Sequence, residues 1–378
     1  MLDSPLMGMP GCGIMIRDGG AVPGAWEVSR SAMKRVFLSV GALCLAVAAG
    51  QAAAGTVTDS AGRNVDVPGE IRTVYAAGGP ASVLVYMLRP DALAGWPRAL
   101  REWERPYVPP AYRDLPETGM LTGRGGEANL ERILRLEPDV RVEFGSDRDT
   151  FMSLADRVPR QSGIPYVLFD GRLENTAESL RRVGAAIGVP ERGERPAADI
   201  AARLARVDAV LAQVPETQRP RVYLARGPDG LETGLRGSIN TEIIERAGGR
   251  NVAYTADGRR GLTQASIEQV IAADPDTIVT WDPHFYRAVW SSPLWAGITA
   301  VRTGRVYLSP TAPFGWIDRP PSVNRFMGLT WLAGVFYPEL WDGDLRTETR
   351  DFYRLYYHID LSPEDLDRLL EWARGQAP

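Results

Sequence analysis

Cysteine, histidine and lysine are the residues this chain has least of. Two cysteines occur in 378 residues, Cys12 and Cys44, and none follows position 44. That excludes a disulfide framework and a thiolate metal site from everything downstream. The two histidines, His284 and His358, are too few for a cage that holds a bare divalent cation, so no metal site is expected. Lysine is nearly absent, and arginine carries the positive charge. With a net charge of −4 and no basic block, the chain has no electrostatic footprint for nucleic acid. A G-x-S-x-G elbow, an H-E-x-x-H pair, the Walker lysine pattern and the dinucleotide glycine spacing are all missing, so neither an enzyme nor a cofactor is expected.

What is present begins with an export signal. Met33-Lys34-Arg35 leads into VFLSVGALCLAVAAG, an apolar run short for a bilayer, and Ala52-Ala53-Ala54 supplies the small residues of a cleavage site before Gly55. An uncleaved anchor is the alternative, but the run ends in alanines rather than in a basic stop-transfer. Residues 1–32 are Gly-rich and unpatterned and read as an upstream extension, with Met33 as the initiator and 33–54 as the signal peptide. Leu43 before Cys44 stands where lipoprotein processing needs a small residue, so no lipid anchor is expected. The expected product is a periplasmic monomer.

Downstream, the chain repeats itself. NLERILRLEPDVRVEFG (Asn129–Gly145) and SIEQVIAADPDTIVTWD (Ser266–Asp282) stand 137 residues apart. Each has an N-capping residue, Glu two places on, a short apolar helix, an acid-Pro-Asp break and a β-rich strand. Strands are expected at Thr73–Ala77, Val140–Phe144, Tyr166–Phe169, Arg221–Ala225, Thr277–Trp281 and Val306–Leu308, alternating with helices. The implied class is α/β: two Rossmann-like lobes (70–190 and 220–337) with mainly parallel sheets, joined by one long rigid helix (191–214). Residues 338–378 read as a helical tail. Open α/β sheets bind ligands beyond the carboxyl ends of their strands, which here points to a cleft between the lobes.

These features resemble the iron–siderophore/vitamin B12 periplasmic binding proteins of ABC importers. The resemblance covers roughly Arg72 to the end of the chain, with the binding domain at about 72–345. NTEIIERAGGRNVA (Asn240–Ala253) and FGWIDRPPSVNRFMGLTWL (Phe314–Leu332) look like a branch that handles iron complexes; related proteins serve haem, cobalamin, molybdate or tungstate. The resemblance implies a permease and its ATPase as partners, with Glu131 and Glu268 docking onto permease arginines. An acid in the first helical turn also suits the helix dipole and needs no partner.

The expected cleft loops carry guanidinium and aromatic groups. Arg98, Arg124, Arg226 and Arg319 fall at strand-to-helix loops, where their forks suit carboxylates, catecholates and oxyanions. Trp96, Trp281, Phe314 and Trp316 offer flat faces for a large ligand. Together they point to a small-molecule metal chelate of negative charge; a small oxyanion is the second choice, and a non-transport sensor or a hydrolase the rival class. The loop PFGWIDRPPSVNR (Pro313–Arg325) is expected to form the C-lobe wall, with Trp316 and Arg319 in contact with ligand.

Overall fold

The computed structural model describes residues 55–122, 130–145, 149–371, 373 and 375. Both cysteines, the signal segment, Arg124 and Asn129 lie outside them. An exposed antiparallel hairpin comes first, β1 (Gly55–Thr58) with β2 (Asn64–Val67). The N-lobe sheet follows as β3 (Val74–Ala76), β4 (Val140–Gly145) and β5 (Tyr166–Asp170), parallel and in that order. The C-lobe contributes β6 (Arg221–Ala225), β7 (Glu232–Gly234), β8 (Arg250–Asn251), β9 (Leu262–Gln264), β10 (Thr277–Thr280) and β11 (Val306–Leu308). Its parallel sheet has the order β11-β10-β6-β8, while β7 and β9 pair separately as an antiparallel hairpin. The six strands read from sequence are all present, with ends within one residue. The β-branched and aromatic runs that signalled them are buried between helices on both faces, as parallel sheets require.

The acid-Pro-Asp breaks have one physical job in both lobes. Glu137 (φ 45°) and Asp274 (φ 35°) take the left-handed conformation that closes a helix. The aspartate after each proline then pins the start of the neighbouring strand. Asp139 Oδ2 accepts from the Arg72 and Thr73 amides at 2.6 and 2.8 Å, and Asp276 Oδ2 accepts from the Arg221 amide at 2.9 Å. Their own amides donate to the Thr73 and Arg221 carbonyls at 2.9 and 2.8 Å.

A 22-residue helix, Pro190–Leu211, links the lobes. Against the expected 191–214 it starts one residue earlier and ends three earlier; Pro190 sits at the first position, where a missing amide costs nothing. Pro196 lies inside the helix, and the Tyr356 hydroxyl donates to the Pro196 carbonyl at 3.1 Å. Ile200 and Val207 face a single apolar core that runs from the N-lobe sheet to the inner C-lobe face.

The C-terminal helices complete that core. In helix Leu345–Tyr357, Phe352, Tyr353, Tyr356 and Tyr357 are all fully buried. The Tyr86 hydroxyl of the N-lobe donates to the Tyr357 carbonyl at 2.8 Å, and Tyr356 donates to Asp199 of the linking helix at 2.9 Å. His358 caps the helix, with Nε2 at 2.9 Å from the Met87 carbonyl. The tail thus ties both lobes to the linking helix.

Candidate functional site

The carboxyl ends of both sheets meet at the Pro313–Arg325 loop. The Ser322 hydroxyl donates to the Pro80 carbonyl at 2.8 Å, reaching the first turn of the helix after β3. Arg325 is fully buried; it donates to Gly171 O, just past β5, at 2.8 Å and to Ile239 O at 3.1 Å, and pairs with Glu242. Glu242 in turn accepts from the Leu173 amide at 3.0 Å. The floor between the lobes is therefore stitched by buried charge-assisted bonds, which hold geometry better than apolar contact alone. Gly78 and Gly79 are explained by close approach. A Cβ on Gly78 would lie 2.4 Å from Thr122 Oγ1, and one on Gly79 would lie 3.3 Å from Pro320.

Above that floor, each lobe offers arginine stacked on tryptophan. In the C-lobe, the Arg319 guanidinium lies 4.2 Å from the Trp281 ring centre, and Arg226 approaches the same ring at 5.5 Å. Arg226 is held by Glu232 at 3.1 Å and Asp318 at 3.0 Å. Asp318 is fully buried as a side chain and accepts from Asn240 at 3.1 Å. Burial pushes the Asp318 carboxyl up, against the pull of Arg226, Asn240, Arg319 and Trp281. In the N-lobe, Arg98 forks onto Glu104 at 2.8 and 2.6 Å, and Glu104 also accepts from the Arg101 amide at 2.8 Å. Arg101 then lies over half-exposed Trp103 at 5.7 Å. Arg319 is pulled below the usual guanidinium range by burial and by the crowding of Arg101, Arg98 and Arg226, which Asp318 partly offsets. Cations from both lobes converge on this point. Beside them is a cavity of about 210 Å³, lined by Trp103, Tyr107, Trp281 and the segment after β11.

Among the expected residues, the structure gathers Arg98, Arg226, Arg319 and Trp281. Two expected contacts do not join them. Trp96 is 1% exposed, donates its indole N–H to Tyr112 O at 2.8 Å, and packs on Tyr86 and Phe314. Trp316 is 0% exposed, packs edge-on to Trp331, and its indole N–H lies 3.4 Å from the Tyr353 hydroxyl. Both are core residues here, because the tyrosines of the N-lobe and C-terminal helices enclose them. Arg124 lies outside the described residues. Arg101 escaped the sequence reading, although it sits three residues past Arg98 and two before Trp103. Among the described residues, no three His, Cys, Asp or Glu side chains converge to hold a metal ion.

Beneath the N-lobe wall lies Glu143, which is fully buried. Its carboxylate accepts from the Thr122 hydroxyl at 2.6 Å, its neighbour's amide (Phe144) at 2.9 Å and the Tyr166 hydroxyl at 3.3 Å. Burial outweighs these donors and pushes the carboxyl up to about 7.

Glu131 and Glu268 are exposed in the first turns of helices Leu130–Arg135 and Ile267–Ala273. The second helix opens with a capping box between Ser266 and Gln269, and the Ser266 hydroxyl draws the Glu268 carboxyl below its ordinary value. Three residues on, each helix exposes an apolar side chain, Leu134 (39%) and Ile271 (49%), while Ile133 and Val270 turn inward.

A model of the periplasmic binding protein family matches residues 85–313. The cobalamin-binding protein of Halobacterium salinarum is 31% identical over 182 residues, which are 46% of this chain and 45% of that one. The vitamin B12-binding protein of Salmonella typhimurium is 32% identical over 155 residues, 40% of this chain and 54% of that one. The chain thus spans about half the length of the curated relatives it matches. Among solved structures, an ABC transporter solute binding protein from Sulfurospirillum deleyianum superposes with a TM-score of 0.77 at 28% identity, over 84% of this chain and 99% of that one. A molybdate-bound periplasmic binding protein of Haemophilus influenzae, at 22% identity and a TM-score of 0.67 over 82% and 99% of the two chains, shares the fold.

Proposed function

Because the chain belongs to the periplasmic binding protein family, we propose that it captures an anionic metal chelate between its lobes and delivers it to the permease and ATPase of an ABC importer. It performs no chemistry of its own. The observation that carries this reading is the Arg319–Trp281 stack set among Arg226, Arg98 and Arg101. Arg226 and Arg98 have carboxylate partners, whereas Arg101 and Arg319 make no ion pair with any described residue. Those two charges repel a bare cation and attract an anion, and Trp281 and Trp103 suit the flat faces of an organic chelator. The iron-complex motifs favour a ferric siderophore. The relatives named for cobalamin favour a cobalt corrinoid, which is also a metal held in an organic ring. At about 210 Å³ the cavity is smaller than sites for such ligands, so loading requires the lobes to part. That small volume supports a second reading, an oxyanion such as molybdate.

Delivery is assigned to Glu131 and Glu268 with their apolar neighbours Leu134 and Ile271. The same pair of groups on each lobe suits a two-fold symmetric permease that offers a cation beside an apolar socket twice. Export through the signal segment 33–54, with cleavage after Ala54, belongs to the same reading.

The test is a tryptophan-fluorescence titration of the exported chain against ferric siderophores, haem, cobalamin, molybdate and tungstate. Saturable quenching by a chelate, weakened at least roughly tenfold in Arg319→Ala, supports the proposal. Saturation by an oxyanion alone selects the second reading, and silence across the panel removes both. For delivery, Glu131→Ala with Glu268→Ala abolishes uptake and leaves the titration unchanged.

A further inference from the structure

A second cavity, of about 700 Å³, opens on the C-lobe face remote from the shared core. Its floor is β6, where Arg221 and Tyr223 point the same way, and its walls are the β7–β9 hairpin, the segment after β8 and helix Ile267–Ala273. It shares no lining residue with the inter-lobe cavity. Among the described residues, four arginines line it, Arg221, Arg236, Arg250 and Arg259, and no acid does.

The guanidinium groups of Arg221, Arg236 and Arg250 are anchored but not consumed, whereas Arg259 is paired with an aspartate. Arg236 donates one nitrogen to Asn251 O at 2.9 Å and lies over the Tyr254 ring at 4.9 Å. Arg250 donates Nε to Arg219 O at 3.2 Å, and Arg221 reaches Ala273 O. Each keeps further N–H donors, since a guanidinium carries five. The acids nearby are already engaged. Asp257 pairs with Arg259 at 2.9 Å, Glu245 accepts from the Gly237 amide at 3.1 Å, and Asp274 caps Thr299. Tyr254 is 66% exposed, a large ring left in solvent at the mouth.

We propose that this cavity is a second ligand site, for a soluble small molecule bearing two or more oxyanion groups, phosphate or carboxylate. Guanidinium forks match either group, the volume suits a compact organic anion, and Tyr254 with Arg236 offers a stacking surface at the entrance. Helix Ile267–Ala273 is one wall, so an occupant braces the element that carries Glu268.

The experiment is calorimetric titration of the full chain with inorganic pyrophosphate and, separately, with citrate at low salt. Saturable binding of one of them is expected, weakened roughly tenfold by Arg236→Ala and also reduced by Tyr254→Ala, with Arg319→Ala unchanged. Both substituted side chains are exposed, and an unaltered thermal midpoint verifies that the variants fold. Three results overturn the proposal. One is no saturable heat with either anion. Another is binding lost in Arg319→Ala but kept in Arg236→Ala, which puts the anion in the inter-lobe cleft. The third is equal weakening by Arg350→Ala, on the C-terminal helix, which marks general charge attraction.

Discussion

In both lobes an acid-Pro-Asp turn ends a short helix and pins a neighbouring strand, yet the strands that follow carry different interiors. Three and five places past the turn proline, at positions 137 residues apart, β4 places Arg141 and Glu143 where β10 places Ile278 and Thr280. Ile278 joins an apolar cluster with Phe285, Trp295 and Val306. Arg141 and Glu143 instead face Tyr75 and Tyr166, under helices Leu130–Arg135 and Asp149–Ser162. Arg141 is fully buried, bonds Ser162 through Nη1, and its Nε and Nη2 have no hydrogen-bond partner among the described residues. A repeated backbone therefore does not imply a repeated core. The turns need only a left-handed residue, a proline and an aspartate, whereas the layer beneath is free to diverge. The C-lobe layer is held by apolar burial, and the N-lobe layer depends on the ionisation of a buried carboxyl.

The strongest way to break this contrast is Glu143→Gln. The Glu143 carboxyl titrates near 7 in the folded chain and near 4.5 when unfolded, so the native state binds the extra proton in between. Stability should be highest below about pH 4.5 on this account, fall as pH rises through 7, and lose on the order of 3 kcal/mol in total. Denaturant unfolding between pH 4.5 and 8 should show that slope in the parent chain and a flat profile in Glu143→Gln, with the variant the more stable at pH 8. A slope that survives the substitution assigns the pH dependence elsewhere. Thr280→Val, at the matching C-lobe position, should leave the slope intact.

A smaller difference separates the two turn aspartates. Asp139 accepts two backbone amides and Asp276 one. Asp139→Ala should cost about 3 kcal/mol and Asp276→Ala about half of that, read from urea midpoints at neutral pH. Equal losses would mean that the second N-lobe bond adds nothing. The smallest effect belongs to the helix cap, where Ser266→Ala should cost about 1 kcal/mol. An equal loss in Asn129→Ala would extend the capping symmetry to the N-lobe.

Much of the scaffold was legible because it rests on local patterns. Short β-branched runs bounded by turn residues marked the six strands read from sequence, and the expected helical tail is there, its last helix capped by the Ser362 side chain, which accepts from the Asp365 amide. The hairpin β1–β2 left no such signal, because its GTVT and NVDV segments are polar and mostly exposed. β7 and β9, of three residues each, are too short to register a period. At the cleft, arginine was the better guide. Charged groups resist burial, so loop arginines surface in the cleft or must find partners, as Arg226 does with Asp318. Indole rings gain by burial and follow whatever apolar surface the fold offers them, and Trp96 and Trp316 went to the core.

The sequence by itself determined the two α/β lobes, their parallel strands, the repeated turns and the family resemblance, because periodicity and turn chemistry act over a few residues. Only the tertiary structure decided which aromatic rings face the cleft. Trp316 meets Tyr353, and Tyr86 beside Trp96 meets the Tyr357 carbonyl 271 residues along the chain. No local pattern carries information about partners that far apart. Burial of apolar surface has no direction of its own, so the side chain that fills a given space is known only once every element packed against it is in place.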